Sequence, residues 1–360
     1  MKFRITFILV PLLSMYACNS SNTEGSVEKE RTEKKQLQVN LLAPTRHDTF
    51  RIGDDVTVNY KLSDSIHVDS VGFSVNNGDN IVFKADQDVV WKSTNAKTGQ
   101  NHIRLSIFVD SMTYYGSTSV RFLAAKSPEL LTYKVKQTYN HDPKAYTQGL
   151  IFEDGFLYES TGQHGESTLR KVDYKTGKVL QMYDLATSDF GEGIARVGDK
   201  IYMLTWESKK GYVFDLKTFN VELEFPLTSD GWGLTYDGQY LIRSDGSNTL
   251  YFIDPEYLTE VKTLEVHDHK AQVSRLNELE YYDGKIWANV YGEDYIVTID
   301  PKTGAVIEKI DFSNLLTNEE RRKYRVDVLN GIAWSNDTHQ LFVTGKLWPT
   351  LFEVELIKQN

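Results

Sequence analysis

One short motif recurs five times in the second part of this 360-residue chain, and it restricts the fold more than any other feature. The motif is a triplet whose first position varies, whose second position is nearly always small, and whose third is Leu or Ile. Successive copies start 44, 40, 45 and 53 residues apart, at Gln148, Glu192, Trp232, Asn277 and Asn330. Periods of roughly 40–50 residues with several short strands are typical of β-propeller blades. The sequence therefore predicts an all-β chain with a five-bladed β-propeller.

The two ends of the repeat region predict how the ring closes. Each of the first four repeats contains four strand-like runs, whereas the last contains three. An additional run at residues 133–139 precedes the first repeat. Pairing this run with the last repeat would supply the missing strand and remove two open sheet edges. We therefore expect a propeller at residues 131–357, closed by its own N-terminal strand.

A turn that begins with Asp recurs between the third and fourth strands of four repeats. Tight turns favour Asp at the start, Pro after it and Gly at the end. We interpret these aspartates as structural residues and not as catalytic ones. The four turns begin at Asp173, Asp215, Asp254 and Asp300.

Residues 37–126 have a different pattern, in which apolar and polar residues alternate in short runs separated by turn clusters such as Asn76-Asn77-Gly78-Asp79. About seven strands with a period of two predict an immunoglobulin-like β-sandwich. This region contains no cluster of catalytic residue types. We expect it to be a spacer or an interaction module that precedes the propeller.

Residues 1–18 have the pattern of an export signal, with positive charges ahead of an apolar run that Cys18 ends. A lone Cys at this place indicates the acylated first residue of a bacterial lipoprotein. Met15 and Tyr16 are unusual in that motif, and a free Cys in an ordinary export signal is the alternative. The polar residues 19–36 predict a disordered tether. We expect a lipid-anchored protein of the cell envelope that faces the periplasm or the outside.

Composition excludes several classes of function. The net charge of −10 argues against a nucleic-acid partner, which would require a clustered basic face. After Cys18, no apolar run approaches the ~20 residues that a membrane span needs, so the lipid anchor would be the only membrane contact. Cys18 is the only Cys, which leaves the mature chain without an internal disulfide. We expect a monomer.

The variable first positions of the triplets are candidate functional residues. The innermost strands of a propeller surround its axis, so these five side chains would form a ring at one mouth of the channel. Trp206 and Tyr291 each follow a triplet start by 14 residues, and Lys346 occupies a similar place in the last repeat. Glu192 would be the one carboxylate among aromatic rings and amides, and partial desolvation there would raise its pKa toward a value useful for proton transfer. Lys346 would oppose that rise.

Other readings of the same residues remain open at this level. Polar side chains at the starts of glycine-flanked strands can be structural plugs. His267-Asp268-His269 resembles a metal-binding pair but lacks further ligands at suitable spacing, which argues against zinc. Ser167 has no strand–turn–helix context for a nucleophile elbow, and the chain contains no phosphate-binding loop or dinucleotide fingerprint.

Seven motifs together resemble one known family, the plant and bacterial type of glutaminyl-peptide cyclotransferase, over about residues 131–356. They are Tyr146-Thr147-Gln148-Gly149-Leu150, Phe190-Gly191-Glu192-Gly193, Leu204-Thr205-Trp206, Gly231-Trp232-Gly233-Leu234, Leu276-Asn277-Glu278-Leu279-Glu280, Ile286-Trp287-Ala288-Asn289-Val290 and Thr344-Gly345-Lys346-Leu347-Trp348-Pro349. The resemblance implies a five-bladed propeller with Glu192 as the catalytic acid and base. It also implies substrate-binding roles for Gln148, Trp206, Trp232, Asn277 and Lys346, to which the ring argument adds Tyr291 and Asn330.

Two positions depart from the family pattern, because Tyr146 and Tyr291 stand where Phe and Trp are expected. Both substitutions keep an aromatic wall, so they affect the expected substrate preference more than the expected reaction. The implied substrates are peptides or proteins with an N-terminal Gln, which would become pyroglutamate with release of ammonia. The resemblance implies no cofactor or catalytic metal, and a structural Ca²⁺ on the propeller axis has no sequence signature. The alternatives are a non-catalytic propeller that binds peptides or glycans, and a propeller hydrolase or lyase.

Overall fold

The computed structural model describes residues 37–359. The predicted export signal, the lipidation site Cys18 and the tether at residues 19–36 lie outside the described residues. The described part is all-β, with one short α-helix, α1 (Asn318–Lys323), and one 3-10 helix (Ser93–Asn95). Within it, no helix has both the length and the apolar character needed to cross a membrane.

The N-terminal part contains eight strands where the sequence predicts about seven. They are β1 (Val39–Ala43), β2 (Thr49–Arg51), β3 (Asp55–Leu62), β4 (Ser70–Val75), β5 (Ile81–Lys84), β6 (Val89–Lys92), β7 (Gly99–Val109) and β8 (Met112–Leu123). They form a three-stranded sheet in the order β1-β3-β6 and a five-stranded sheet in the order β2-β8-β7-β4-β5. Alternate residues such as Val56, Val58, Ile103 and Leu105 are buried, and side chains from both sheets share one hydrophobic core. This is the period-two pattern that the sequence predicts.

The rest of the chain is built from twenty strands. They are β9 (Glu129–Asn140), β10 (Thr147–Glu153), β11 (Phe156–Thr161), β12 (Thr168–Asp173), β13 (Lys178–Asp184), β14 (Phe190–Val197), β15 (Lys200–Trp206), β16 (Lys210–Asp215), β17 (Val221–Pro226), β18 (Leu234–Tyr236), β19 (Leu241–Arg243), β20 (Thr249–Ile253), β21 (Glu260–Glu265), β22 (Leu276–Tyr282), β23 (Lys285–Val290), β24 (Tyr295–Ile299), β25 (Val306–Asp311), β26 (Leu329–Ser335), β27 (Gln340–Gly345) and β28 (Thr350–Lys358).

These strands form propeller-like sheets. Three are four-stranded meanders, β10 to β13, β14 to β17 and β18 to β21. The fourth has eight strands in the order β22-β23-β24-β25-β9-β28-β27-β26. The first strands of successive repeats contact one another in the order β10, β14, β18, β22 and β26, and β26 in turn contacts β10.

The strand that precedes the first repeat pairs with the end of the chain, as predicted. In β9, Tyr133 lies opposite Leu356 and Tyr139 lies opposite Leu351, in an antiparallel ladder with β28. The first residues of β9 also pair in parallel with β25, where Leu131 lies opposite Ile310. One strand therefore joins the fourth repeat to the fifth.

The recurring Asp turns have the structural role that the sequence predicts. In each turn, a backbone N–H two or three residues ahead donates to the Asp carboxylate, for example Lys175 to Asp173 at 3.0 Å and Lys302 to Asp300 at 2.8 Å. The peptide N–H of the fifth turn residue donates back to the Asp carbonyl. That fifth residue has a positive φ in all four turns, at Gly177, Phe219, Leu258 and Gly304.

Glycine at the second position of the triplets allows the repeats to approach one another around the axis. A Cβ added to Gly233 would lie 1.9 Å from the carbonyl oxygen of Asn277, which is far inside van der Waals contact. Only the fourth repeat has a large residue there, Glu278, and it is 1% exposed. Its carboxylate accepts hydrogen bonds from the N–H groups of Leu150 (3.3 Å) and Ile332 (2.9 Å), which satisfies backbone donors of two other repeats.

The two parts of the chain meet at the edge of the third and fourth repeats. The Thr98 hydroxyl donates to the carbonyl of Glu265 (2.5 Å), and the Arg51 guanidinium donates to the carbonyl of His269 (2.6 Å). The Ala124 N–H donates to the carbonyl of Asp268 at 3.1 Å. The motif His267-Asp268-His269 is therefore part of this junction.

Candidate active site

Four of the five variable triplet residues lie at irregularities in strand pairing. The ladder between β14 and β15 shifts register between Gly191 and Ile194, so Glu192 lies in a β-bulge. Equivalent shifts occur in β10, β22 and β26, at Gln148, Asn277 and Asn330. A bulge redirects a side chain away from the regular alternation of a strand. The repeat thus aims one residue of each bulged strand at the axis.

Most of the predicted site residues line one cavity of about 530 Å³ at the mouth of the channel. A volume of this size is typical of small-ligand sites. The predicted residues on its wall are Gln148, Glu192, Trp206, Trp232, Asn277, Tyr291 and Lys346, together with Tyr146.

Asn330 does not line this cavity, although the sequence places it in the same ring. It is fully buried, and its Nδ2 donates to the carbonyl of Thr147 at 3.0 Å and lies 3.5 Å from Oε1 of Gln148. The bulge of β26 directs Asn330 behind Gln148. A direct contact with substrate is therefore not supported for Asn330, which instead supports the position of Gln148.

Glu192 is the only carboxylate on the cavity wall within residues 37–359, and it is 5% exposed. Its Oε1 accepts one hydrogen bond, from Nε2 of Gln148 at 3.2 Å. The pKa of Glu192 is raised to about 8: burial raises it, the positive charge of Lys346 lowers it, and the charge of Asp230 raises it. The carboxyl group is therefore poised to exchange a proton near neutral pH.

Lys346 occupies the same buried network from the opposite side. Its Nζ donates to Oε1 of Gln148 at 2.5 Å and lies 4.7 Å from the ring centroid of Tyr146. Burial lowers the pKa of Lys346, while the charge of Glu192 acts to raise it. Because the Gln148 amide accepts from Lys346, its NH₂ group is directed at Glu192.

Aromatic rings form two walls of the cavity. On one side, the rings of Phe190 and Trp206 meet edge to face with centroids 5.3 Å apart, and Tyr146 meets Phe190 at 6.1 Å. On the other side, Trp232 and Tyr291 meet edge to face at 5.7 Å. A side chain that enters between these walls would lose most of its contact with water.

Asn277 provides an unused polar group inside the cavity. It is 2% exposed, and its Oδ1 has no hydrogen-bond partner within the described part of the chain. An unpaired amide oxygen is costly to bury unless a ligand satisfies it. The arrangement therefore favours a substrate that brings an N–H group to Asn277.

The cavity wall also contains residues that the sequence does not single out as site residues: Gln163, His164 and Phe190. Phe190 is the first residue of the motif Phe190-Gly191-Glu192-Gly193, and its place in that motif is the signal that could have identified it. Gln163 and His164 lie in the loop between β11 and β12, which joins the second and third strands of the first repeat. Gln163 has a φ of 91°, which is unusual for a residue other than glycine.

The described residues contain no group of three or more His, Cys, Asp or Glu side chains arranged to hold a metal ion. His267, the residue nearest to such a pattern in the sequence, is 2% exposed and lies at the junction described above. Burial lowers its pKa.

Comparison with known proteins gives consistent matches. A family model described as glutamine cyclotransferase matches residues 108–356. A glutaminyl-peptide cyclotransferase of Arabidopsis thaliana is 41% identical over 226 residues, which is 62% of this chain and 71% of that protein. The crystal structure of the Myxococcus xanthus glutaminyl cyclase superposes with a TM-score of 0.61 and 35% identity, over 65% of this chain and 100% of that one.

Proposed function

This chain belongs to the glutamine cyclotransferase family and is a glutaminyl-peptide cyclotransferase, and we propose that Glu192 is the group that transfers the proton in its reaction. The observation that supports this role is the place of Glu192 in the cavity: a lone buried carboxylate, with its pKa raised to about 8, beside an amide and two aromatic walls. The overall reaction converts the N-terminal Gln of a peptide into pyroglutamate and releases ammonia.

The substrate carries both reacting groups, so positioning provides much of the catalysis. The α-amino nitrogen attacks the carbon of the side-chain amide, and the two must be held close in a ring-forming conformation. Trp206 on one wall and Trp232 and Tyr291 on the other would clamp the methylene groups of the Gln side chain. Held geometry of this kind can supply several kcal/mol of the barrier.

Glu192 transfers the proton that the reaction moves. When the new C–N bond forms, the amine nitrogen gives up a proton to the Glu192 carboxylate. Glu192 then donates that proton to the amide nitrogen as the old C–N bond breaks, and ammonia leaves. General acid and base catalysis of this type contributes typically ~10²–10⁴ in rate.

The side chains of Gln148, Asn277 and Lys346 hold the amide group of the substrate. Lys346 and Gln148 provide donors for the oxygen that becomes negatively charged during the attack. The unpaired Oδ1 of Asn277 would accept a hydrogen bond from an N–H group of the substrate. Each buried polar group of the cavity would then have a partner.

The Glu192→Gln variant tests this assignment. We expect kcat to fall by about 10² or more, because an amide cannot transfer the proton, with folding retained. Ammonia release and pyroglutamate formation from a Gln-initiated peptide provide the measurement. The matched control is Glu222→Gln, because Glu222 is an exposed carboxylate that pairs with Lys200 and does not line the cavity. Near-normal turnover by Glu192→Gln would remove Glu192 from the mechanism.

The fold that we propose around this site is a five-bladed propeller at residues 131–357, preceded by an immunoglobulin-like sandwich at residues 37–126. The cyclic contacts of β10, β14, β18, β22 and β26 support five blades. On this reading, the eight-stranded sheet is two blades joined through β9. The two sheets with a shared core support the sandwich.

We further propose that catalysis requires no cofactor, that the protein acts as a monomer, and that it is held at the cell envelope by a lipid on Cys18. The mechanism above uses only side chains of this chain. Turnover that persists in excess chelator would support metal independence, and turnover restored only by an added metal would contradict it. Mass spectrometry of the N-terminal peptide from the cell-envelope fraction would detect acylation of Cys18.

A further inference from the structure

A second cavity adjoins the candidate active site and shares part of its wall. It has a volume of about 700 Å³, and Tyr146 and Gln163 line both cavities. The two spaces are therefore neighbours at the same mouth, separated by the side chains of these two residues.

Hydrogen bonds fix the wall between the two cavities. The Tyr146 hydroxyl donates to Oδ2 of Asp327 at 3.0 Å. The Asp327 N–H donates to the carbonyl of Lys346 at 2.9 Å, and the Leu347 N–H donates to the carbonyl of Ala145 at 2.7 Å. Three chain segments are thus tied together, and the opening between the cavities has a defined shape.

The second cavity differs chemically from the first. Its wall includes the exposed side chains of Lys144, Glu166 and Arg325, and none of them forms an ion pair within residues 37–359. The carboxylate of Asp327 is already bonded, to the Tyr146 hydroxyl and to the N–H of Val328. The cavity therefore offers free donors and one free carboxylate, which suit the peptide backbone and polar side chains better than an apolar ligand.

The reaction dictates what must lie next to the first cavity. The amine and the side-chain amide of the N-terminal Gln are both consumed inside, so only the carboxyl side of that residue can leave through the mouth. We propose that the second cavity binds the second and third residues of the peptide substrate, with Lys144 and Arg325 donating to their carbonyl or carboxylate oxygens. This inference rests on the proposed function of the first cavity.

Substrates of increasing length test the inference. The probes are Gln-amide, which fills only the first cavity, and the amides of Gln-Ala and Gln-Ala-Ala. Contacts remote from the reacting atoms can increase kcat/KM, and we expect a rise of about tenfold or more from Gln-amide to the tripeptide amide. No rise with length in the wild-type protein would overturn the inference.

Two variants test whether the rise in kcat/KM with substrate length comes from the second cavity. Glu166→Trp fills the second cavity, and we expect it to reduce the ratio of kcat/KM for the tripeptide amide to that for Gln-amide by about fivefold or more. Arg325→Glu should lower kcat/KM for Gln-Ala-Glu-amide relative to Gln-Ala-Lys-amide. The matched control is Thr338→Trp, which places the same side chain in a separate cavity lined in part by Trp334 and His339.

The outcomes distinguish a failure of the second cavity from a failure of the first. Ratios that are unchanged in both Glu166→Trp and Arg325→Glu would show that the second cavity does not bind the peptide. An absence of turnover of Gln-amide and of all peptides by the wild-type protein would instead contradict the proposed function of the first cavity.

Discussion

At Glu192, burial and a neighbouring charge act in opposite directions on one carboxyl group. Burial raises its pKa to about 8, and the ammonium group of Lys346 keeps that value from rising further. Gln148 lies between the two, bonded to both. The side chain that completes the network, Asn330, lies behind Gln148 and outside the cavity.

Replacing Lys346 should therefore shift the pH dependence of catalysis. Removing the positive charge in Lys346→Met raises the pKa of Glu192, because the carboxylate loses an opposite charge nearby. The rising limb of kcat/KM against pH should move to higher pH by about 1 unit. The substrate amine also titrates near pH 8, but it is the same in both proteins, so the difference reports an enzyme group.

The control for that experiment is Lys136→Met. Lys136 is an exposed lysine that pairs with Glu355 and is not among the residues that line the cavity. The limb of this variant should coincide with that of the wild-type protein. If the limbs of Lys346→Met and the wild type also coincide, Lys346 does not tune the ionisation of Glu192.

The same carboxyl group should make stability depend on pH. Its pKa is about 8 in the folded state and near 4.5 when unfolded, so between these values the folded state binds more protons and stability falls as pH rises. The Glu192→Gln variant has no carboxyl group at this position and therefore lacks this loss of stability. The variant should match the wild-type protein near pH 4.5 and gain in melting temperature up to about pH 8. A difference that does not change with pH, measured by thermal unfolding with Glu222→Gln as the control, would contradict the raised pKa.

At the scale of elements, the triplet has two structural roles in each repeat. The bulge directs the first residue toward the axis, and the glycine that follows lets the neighbouring repeat come close. Where the fourth repeat has Glu278 in place of glycine, its carboxylate reaches across to backbone donors of the first and last repeats. Burial raises the pKa of Glu278 well above its usual range, and Glu280 raises it further.

Substitution of Gly233 should show how close this approach is. Gly233→Ala would place a methyl group 1.9 Å from the carbonyl oxygen of Asn277, so a backbone segment beside the site must move. We expect a loss of about 3 kcal/mol or more in unfolding free energy, measured in urea. The control is Gly155→Ala, where φ is 75° and nothing lies within 4 Å, which should cost about 1 kcal/mol. Equal losses would show that the approach at Gly233 is not tight.

The sequence allowed correct prediction of those elements that depend on local patterns. The alternation in β3 and β7, the Asp turns, and the pairing of β9 with β28 follow from period, turn chemistry and the need to pair every sheet edge. Helix α1 was not predicted, although its capping box of Thr317 and Glu320 is a recognisable signal. The shortest strand of the N-terminal part, β2, has three residues and pairs in parallel with β8, a contact that no local pattern specifies.

At the scale of the whole molecule, the candidate site could be predicted only as a set of positions. Repeat alignment placed Glu192, Trp206, Asn277 and Lys346 at one mouth because equivalent positions converge around an axis. It placed Asn330 there for the same reason. In the structure Asn330 lies behind Gln148, because the direction of a side chain in a bulge depends on packing and not on register. Gln163 and His164 lie in the loop between β11 and β12, which is equivalent to the loops that begin with Tyr291 and Lys346, so repeat alignment extended to this loop could have identified them.

The junction of the two parts also could not be predicted from local sequence patterns. Thr98 and Arg51 donate to carbonyl groups of residues 265 and 269, and carbonyl oxygens are present at every position of a chain. No residue type therefore marks this contact in the sequence. Residues 268 and 269 also take part through their backbone carbonyl groups, so this contact does not account for the histidine side chains.

In the proposed mechanism, the N-terminal Gln of a peptide binds between the aromatic walls with its amine at Glu192. A crystal structure of the Glu192→Gln variant with Gln-Ala-Ala-amide tests it most directly. We expect the amine nitrogen within about 2.6–3.2 Å of the side chain at position 192, and the Gln side chain between Trp206 and Trp232. A peptide bound outside this cavity, or bound in it with its amine directed to solvent, would contradict the account.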